Sequence, residues 1–390
     1  MPYYENRDEE TFFGPAAVLL NSDSSSLVEA CGQQDQVFEA AYAVLQEAID
    51  QRAFPAASVS VTLEDRVIGF KAFGRFTYEI DSPTVVPATL FDLASLTKVV
   101  ATTSMAMVLY ERGLLDLDAP VGAVVPEFLQ GEPDARRRNV SFRMLLAHSS
   151  GLPAYEKLFL KARTRDDLLR AVFTMPLTAD PGSCAVYSDI GFMLLGTALE
   201  RIADESLDGF CRREIFAPLG MINSTFDPPK EIRAMIPPTA DDRSFRHRII
   251  QGEVQDENTS VLGGIAAQAG VFSTALDLAR FGHSMLGAGR SILRPETMAL
   301  FTKRESMPAG ASRALGWDTP SAPSQSGKYF GPASFGHLGY TGTSLWIDPD
   351  RRLSITLLTN RTWPDCSNRA IKQVRPRFHD AVVEAIEKPV

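Results

Sequence analysis

The chain has 390 residues, of which 45% are hydrophobic and 22% charged, with a net charge of -9. That length supports a sizeable core in one large two-lobed domain or two medium ones, and Pro and Gly are spread along it, which excludes disordered and fibrous classes. The acidic balance and the lack of a basic stripe exclude a nucleic-acid partner, and "RRR" at 136–138 reads as a solvated loop.

Residues 1–33 lack sustained periodicity and read as an N-terminal arm or tail. "DQVFEAAYAVLQEAID" then repeats apolar residues at helical spacing, followed by the β-rich runs "ASVSVTL" and "RVIGFKAFG" around "EDR", a helix and then a hairpin. The middle is mainly helical, with expected helices at 95–112, 141–147, 166–173, 189–203 and 206–215. After further helices at 275–287 and 295–303, "TSLWIDP" and "LSITLLTN" read as paired strands around "DPDRR", and a helix over 367–387 closes the chain. Strands at both ends with helices between them predict an α+β fold. Its antiparallel sheet comes from both chain ends, within one catalytic domain over 34–390: an α/β lobe of about 34–90 and 260–390, and a helical lobe of about 91–259.

Cys31, Cys184, Cys211 and Cys366 form no CxxC pair and the five histidines form no HExxH, so reduced thiols, no metal and no cofactor are expected. No apolar run approaches the roughly 20 residues of a membrane span. The first residues carry acids where a signal peptide carries bases, so a soluble, cytoplasmic chain is expected.

The chemistry starts at "FDLASLTKVV", which places Ser95 and Lys98 three positions apart at the start of a helical pattern. Residues i and i+3 share a helix face, so the amine can reach the hydroxyl; a lysine made partly neutral by burial is a base for a nucleophilic serine. S-x-x-K alone is weak, and a helix cap beside a surface lysine is its plain alternative. Two further stretches add weight: "YSDIGFMLLG" from Tyr187, and "FGHLGYTGTSLWIDP", which contains His337 and Gly339.

In this order, S-x-x-K, Y-x-N or a variant, and K/H-x-G, the chain resembles the serine β-lactamase and D-alanyl-D-alanine peptidase superfamily. Its branch is that of class C β-lactamases, DD-peptidases and family VIII carboxylesterases. "VSFRMLLAHSSGLP", "IFAPLGMINSTF", "GGIAAQAGVFSTALDLARF" and "LGW" extend the resemblance over roughly 36–387. It implies Ser95 as the acylated nucleophile, Lys98 as its basic partner and Tyr187 as a proton shuttle with a pKa lowered by the lysine. The backbone N–H groups of Ser95 and Tyr340 form the implied oxyanion hole, and Asp189, His337, Leu338 and Gly339 line the implied substrate cleft.

Two departures bear on the substrate. Asp189 stands where many relatives carry an amide-donating asparagine, and an ionised carboxylate only accepts; Leu338 lacks the hydroxyl a threonine offers a substrate carboxylate. Both disfavour β-lactam acids and peptide C-termini and leave an ester hydrolase as the expected activity, acting on a small-molecule ester or amide. A DD-peptidase or weak β-lactamase, an acyltransferase and a silent scaffold of the same fold are the alternatives. Asp189 either caps the helix "IGFMLLGTALERI" or contacts the lysine; His148 braces a helix end, and a Ser-His-Asp arrangement through either His148 or His337 is the alternative to the lysine. "GGIAAQAG" lacks the dinucleotide spacing and reads as a structural loop near the site, while Trp317 and Trp346 read as core or cleft-wall aromatics.

Overall fold

The structure is a computed structural model that describes residues 27–130 and 134–387. Most of the expected N-terminal arm, residues 1–26, lies outside the described residues.

The hairpin read at "EDR" forms as strands Ala56–Leu63 and Arg66–Gly74. The C-terminal pair forms as Ser344–Asp348 and Leu353–Thr359, and the two hairpins join edge to edge with Leu353 opposite Leu63 and Leu357 opposite Val59. Phe335–Leu338 closes one edge, and Val28–Glu29 the other. That last strand pairs parallel with Arg66–Gly74, so the sheet is mixed where a wholly antiparallel one was expected.

Alternation along the two central strands divides their faces. Val59, Val61, Leu353, Ile355 and Leu357 pack against the terminal helices Glu39–Asp50 and Ile371–Glu387 through Phe38, Leu45, Val374 and Phe378. The opposite face carries small polar groups: Ser60 Oγ donates to the Ala275 carbonyl, and Thr62 and Ser354 hydroxyls pair with each other. These short side chains let the helix Ala275–Met285 lie close. At Gly282 a Cβ would stand 2.7 Å from the Ser354 hydroxyl, so only glycine fits that crossing.

The middle of the chain forms the helical lobe, built on Ser104–Glu111, Phe142–Leu146, Arg165–Thr174, Asp189–Ala203 and Leu207–Cys211. Its core includes Met105, Met107, Leu145, Val172, Phe192 and Leu195, and it continues through Trp317 to Leu345 and Ile347 of the sheet. Both tryptophans in question are core residues, Trp346 packing on the terminal-helix side. No helix among the described residues is long and apolar enough to cross a membrane.

Three further features differ from expectation. The segment read as one helix over 95–112 begins as a tight turn, Ala94–Leu96, widens into a π-helical stretch, Lys98–Thr103, and becomes α-helical only from Ser104. Phe91–Asp92, Thr225–Phe226 and Val271–Ser273 form a second small sheet, and Pro238–Asp242 pairs with Arg248–Gln251. Most of these strands are too short for an alternating pattern to register.

The third is "RRR", which is not a solvated loop. Arg137 is 2% exposed, donates at 2.8 Å to the Phe128 and Phe173 carbonyls and also to that of Met175, and lies 4.8 Å from the Phe128 ring centre. Its neighbour Arg136 meets the surface carboxylates of Asp134 and Asp180. Replacing Arg137 by alanine leaves three carbonyls without that donor and is expected to cost about 3 kcal/mol or more of stability. Calorimetry checks this; an unchanged Tm contradicts it.

Candidate active site

Ser95 is set by the turn that precedes the π-helical stretch. Ala94 takes a left-handed backbone, φ 47°, and the next residue presents its hydroxyl to a cavity of about 430 Å³. One turn on, Lys98 points back beneath it, with its side chain wholly buried. Lys98 Nζ lies 3.0 Å from Ser95 Oγ, 3.1 Å from the Gln268 carbonyl and 2.6 Å from Asp189 Oδ1. The Gln268 carbonyl reaches this position because Thr102 Oγ1 donates to the Ala267 carbonyl and Thr97 Oγ1 accepts from the Val271 amide. The loop "GGIAAQAG" thus supplies a direct contact to the lysine.

Tyr187 and Asp189 come from the start of the helix Asp189–Ala203. The structure decides between the two readings of Asp189: the helix is capped by Ser188, whose Oγ accepts from the Gly191 amide at 2.9 Å, and the Asp189 carboxylate is free to meet Lys98. Tyr187 borders the same cavity as Ser95, and the Lys98 ammonium lies 4.8 Å from its ring centre. His148 braces this corner from behind. Its Nδ1 accepts from the Ser188 amide at 3.0 Å, which leaves the proton on Nε2, and its ring lies between Tyr187 and Phe192 at 4.7 and 5.0 Å.

The protonation pattern corrects the sequence reading. Burial disfavours a charge on Lys98, yet the Asp189 carboxylate, together with Tyr187, outweighs it, and the amine is held above its ordinary value: an ammonium, not a partly neutral base. Tyr187 is likewise not lowered. Burial, aided by Asp189, pushes its phenol up despite the adjacent lysine.

The edge strand Phe335–Leu338 forms the facing wall. Gly339 follows it at a point of close approach: a Cβ there would collide with the Thr343 side chain and the Leu93 carbonyl. The Gly339 amide donates to the Thr343 carbonyl at 2.7 Å, and the Thr341 and Thr343 hydroxyls donate to the Asp92 and Leu93 carbonyls, locking this wall to the segment that leads into Ser95. His337 is 3% exposed. Its Nδ1 donates to the Leu338 carbonyl at 2.8 Å, so Nε2 is a bare acceptor, and burial with Lys98 and Arg313 nearby holds the ring neutral, well below the usual histidine range. Neither histidine bonds to Ser95, so no Ser-His-Asp arrangement forms.

Ser95, Tyr187, His337, Leu338, Gly339 and Tyr340 therefore border one cavity, with Lys98 beneath it and Asp189 beyond the lysine. The cavity's other wall was not anticipated. Arg313, Arg361, Arg369, Lys372 and Arg375 line it, against a single carboxylate, Asp318. Arg361 and Arg375 donate only to main-chain carbonyls, and burial together with the charge of Arg361 brings Arg375 down to about 9. These five cations are scattered over 63 positions of sequence, from 313 to 375, with no common pattern.

A sequence profile described as Beta-lactamase matches residues 41–375. The chain belongs to the beta-lactamase family. Within that family it is 32% identical over 343 residues to an N-acetylmuramyl-L-alanine amidase of Bacillus subtilis (strain 168), covering 79% of this chain and 77% of the relative. It is 29% identical over 343 residues to a putative D-alanyl-D-alanine carboxypeptidase of Escherichia coli (strain K12), covering 79% of each. The solved structure of EstCE1, a hydrolase with promiscuous acyltransferase activity, superposes with a TM-score of 0.73 at 23% identity, over 90% of this chain and 99% of that one. The fold is thus shared with a solved hydrolase, and the sequence similarity extends to relatives named as an amidase and a putative carboxypeptidase.

The ion pair makes a prediction about pH. Asp189 raises the Lys98 pKa, and Asp189→Asn removes that charge and leaves burial to lower it. In the variant, the Lys98 amine followed by NMR is expected to lose its proton at lower pH than in the wild type. A Lys98 titration that stays in place contradicts the assignment.

Proposed function

We propose that the protein is a carboxylesterase acting on small or medium acyl esters through an acyl-enzyme on Ser95. The observation that carries this reading is the buried amine 3.0 Å from the Ser95 hydroxyl, with the Tyr187 phenol bordering the same cavity, which is large enough for a small acyl group.

The steps follow from the protonation pattern. An ammonium has no lone pair, so Lys98 first passes a proton to Asp189, 2.6 Å away. The free amine then takes the Ser95 proton as Oγ attacks the ester carbonyl, and the backbone amides of Ser95 and Tyr340 receive the oxyanion. As the tetrahedral intermediate collapses, the carbonyl carbon–alkoxide bond breaks, the Tyr187 phenol protonates the departing oxygen, Lys98 restores the phenol, and Asp189 returns its proton to the amine. The proton that left Ser95 has in net terms reached the alcohol. Water, or an acceptor alcohol, repeats the sequence in reverse and releases the acyl group.

Esters are favoured over amides for two reasons. Asp189 is committed to Lys98 and offers no N–H to a substrate amide, and Leu338 gives no hydroxyl to a substrate carboxylate. A second reading has its own support: the cation-lined wall suits a substrate carrying a carboxylate, and the curated relatives bear amidase and carboxypeptidase names. That reading is hydrolysis of a peptide C-terminus or a related amide.

Side-by-side turnover of p-nitrophenyl butyrate, nitrocefin and a D-Ala-D-Ala peptide tests the choice. The ester is expected to have the highest kcat/KM, and Lys98→Ala is expected to lose about a hundredfold or more on it. Faster peptide turnover favours the second reading, and a Lys98→Ala enzyme of near wild-type activity rules out both.

A further inference from the structure

Asp92 is a carboxylate outside the constellation described above, 2% exposed, at the end of the two-residue strand that leads into Ser95. Its two oxygens are divided between two main-chain donors. Oδ1 accepts from the amide of Ala94 at 2.8 Å, and Oδ2 accepts from the amide of Gln255 at 2.7 Å. The first bond closes over Leu93 and pins the amide of the left-handed Ala94, a conformation that alanine reaches only under restraint and that aims the Ser95 hydroxyl and amide. The second fixes the residue preceding Asp256, whose carboxylate accepts from Thr259; Gln268, in turn, donates to Thr259 Oγ1 and offers its carbonyl to Lys98. The main-chain carbonyl of Asp92 also accepts from Thr341 Oγ1 at 2.7 Å, one residue past the Tyr340 amide. Nucleophile, lysine-bearing loop and oxyanion strand therefore meet on one residue.

We propose that Asp92 is a positioning residue that holds Ser95 in attacking register by restraining the left-handed backbone of Ala94 and tying it to the loop at Gln255. The proposal rests on Ser95 being the nucleophile. A protonated carboxyl, or an asparagine, keeps one good acceptor oxygen where two amides need one each. Burial, which outweighs the two amides, raises the Asp92 pKa to about 6; Asp256 adds to the rise and Arg246 opposes it, the charged groups that bear on it. The ionised form that serves both amides is therefore the form present at neutral pH, and it is lost as pH falls through that value.

The test compares wild type, Asp92→Asn, Ala94→Gly, the double variant and Ser95→Ala, with p-nitrophenyl butyrate as substrate. Asp92→Asn is expected to lower kcat about tenfold or more, with KM within about twofold, the size of a released backbone strain. In the wild type, log kcat is expected to steepen below the Asp92 pKa, and in Asp92→Asn it is not. Ala94→Gly is expected to restore much of the lost kcat in the double variant, because glycine holds the left-handed backbone unaided; a purely structural role for Asp92 would not be rescued there. Should Asp92→Asn fail to fold, Ala94→Gly alone decides: loss of the wild-type steepening supports the proposal, and its persistence overturns it. An Asp92→Asn enzyme with wild-type kcat and pH profile also overturns it. Ser95→Ala separates the two levels: if it still turns over the ester the reading of Ser95 falls, whereas if it is dead while Asp92→Asn behaves as wild type, only Asp92's role falls.

Discussion

A fully buried ammonium paired with a carboxylate 2.6 Å away is the constraint on which the site depends. A charge with no solvent exposure persists only if paired and hydrogen-bonded, and Lys98 meets that condition with one contact to each of three segments: its own turn through Ser95, the loop at Gln268 and the helix start at Asp189. The pair therefore does structural and chemical work with the same atoms. It draws the segment after Ser95 onto the helix that follows Tyr187, and in the proposed mechanism the ammonium holds the proton that moves before the serine attacks.

The sheet supplies the other half of the arrangement. Its edge strand, Phe335–Leu338, is fixed by pairing with Ser344–Asp348, and two threonine hydroxyls carry that order onto the carbonyls of Asp92 and Leu93. Gly339 sits where a Cβ would collide with the Thr343 side chain and the Leu93 carbonyl, which is why the third motif ends in glycine. Small polar residues on one face of the central strands admit the helix Ala275–Met285, while the terminal helices seal the other face, so the strand beside the cavity belongs to a sheet packed on both sides.

Much of this was legible in the sequence wherever one local period carried the signal. The Ser/Val alternation over 57–63 and the apolar spacing over 189–203 predicted their elements almost to the residue. The spacing of Ser95 and Lys98 put the two on one face, where the structure has them, although the helix between them is a tight turn running into a wider one. What local pattern does not carry is the partner across a large sequence separation. Arg137 reads as one of three surface arginines until the carbonyls of Phe128, Phe173 and Met175 surround it. Asp189 reads equally as a cap until Ser188 takes that role, and only then is its carboxylate available to raise the lysine. The cationic wall and Asp92 escaped for the same reason, each being assembled from contacts tens to hundreds of residues apart.

The charge state of Lys98 is the most direct point of attack on this picture. With the lysine side chains labelled with carbon-13 at Cε, and the Lys98 signal assigned by its absence in Lys98→Ala, an NMR titration of the resting enzyme reports whether the amine carries its extra proton. The expected result is a charged-amine shift at neutral pH that persists into the alkaline range. A Lys98 signal that titrates below neutral pH would contradict the ion pair, and with it the proton path assigned to Asp189.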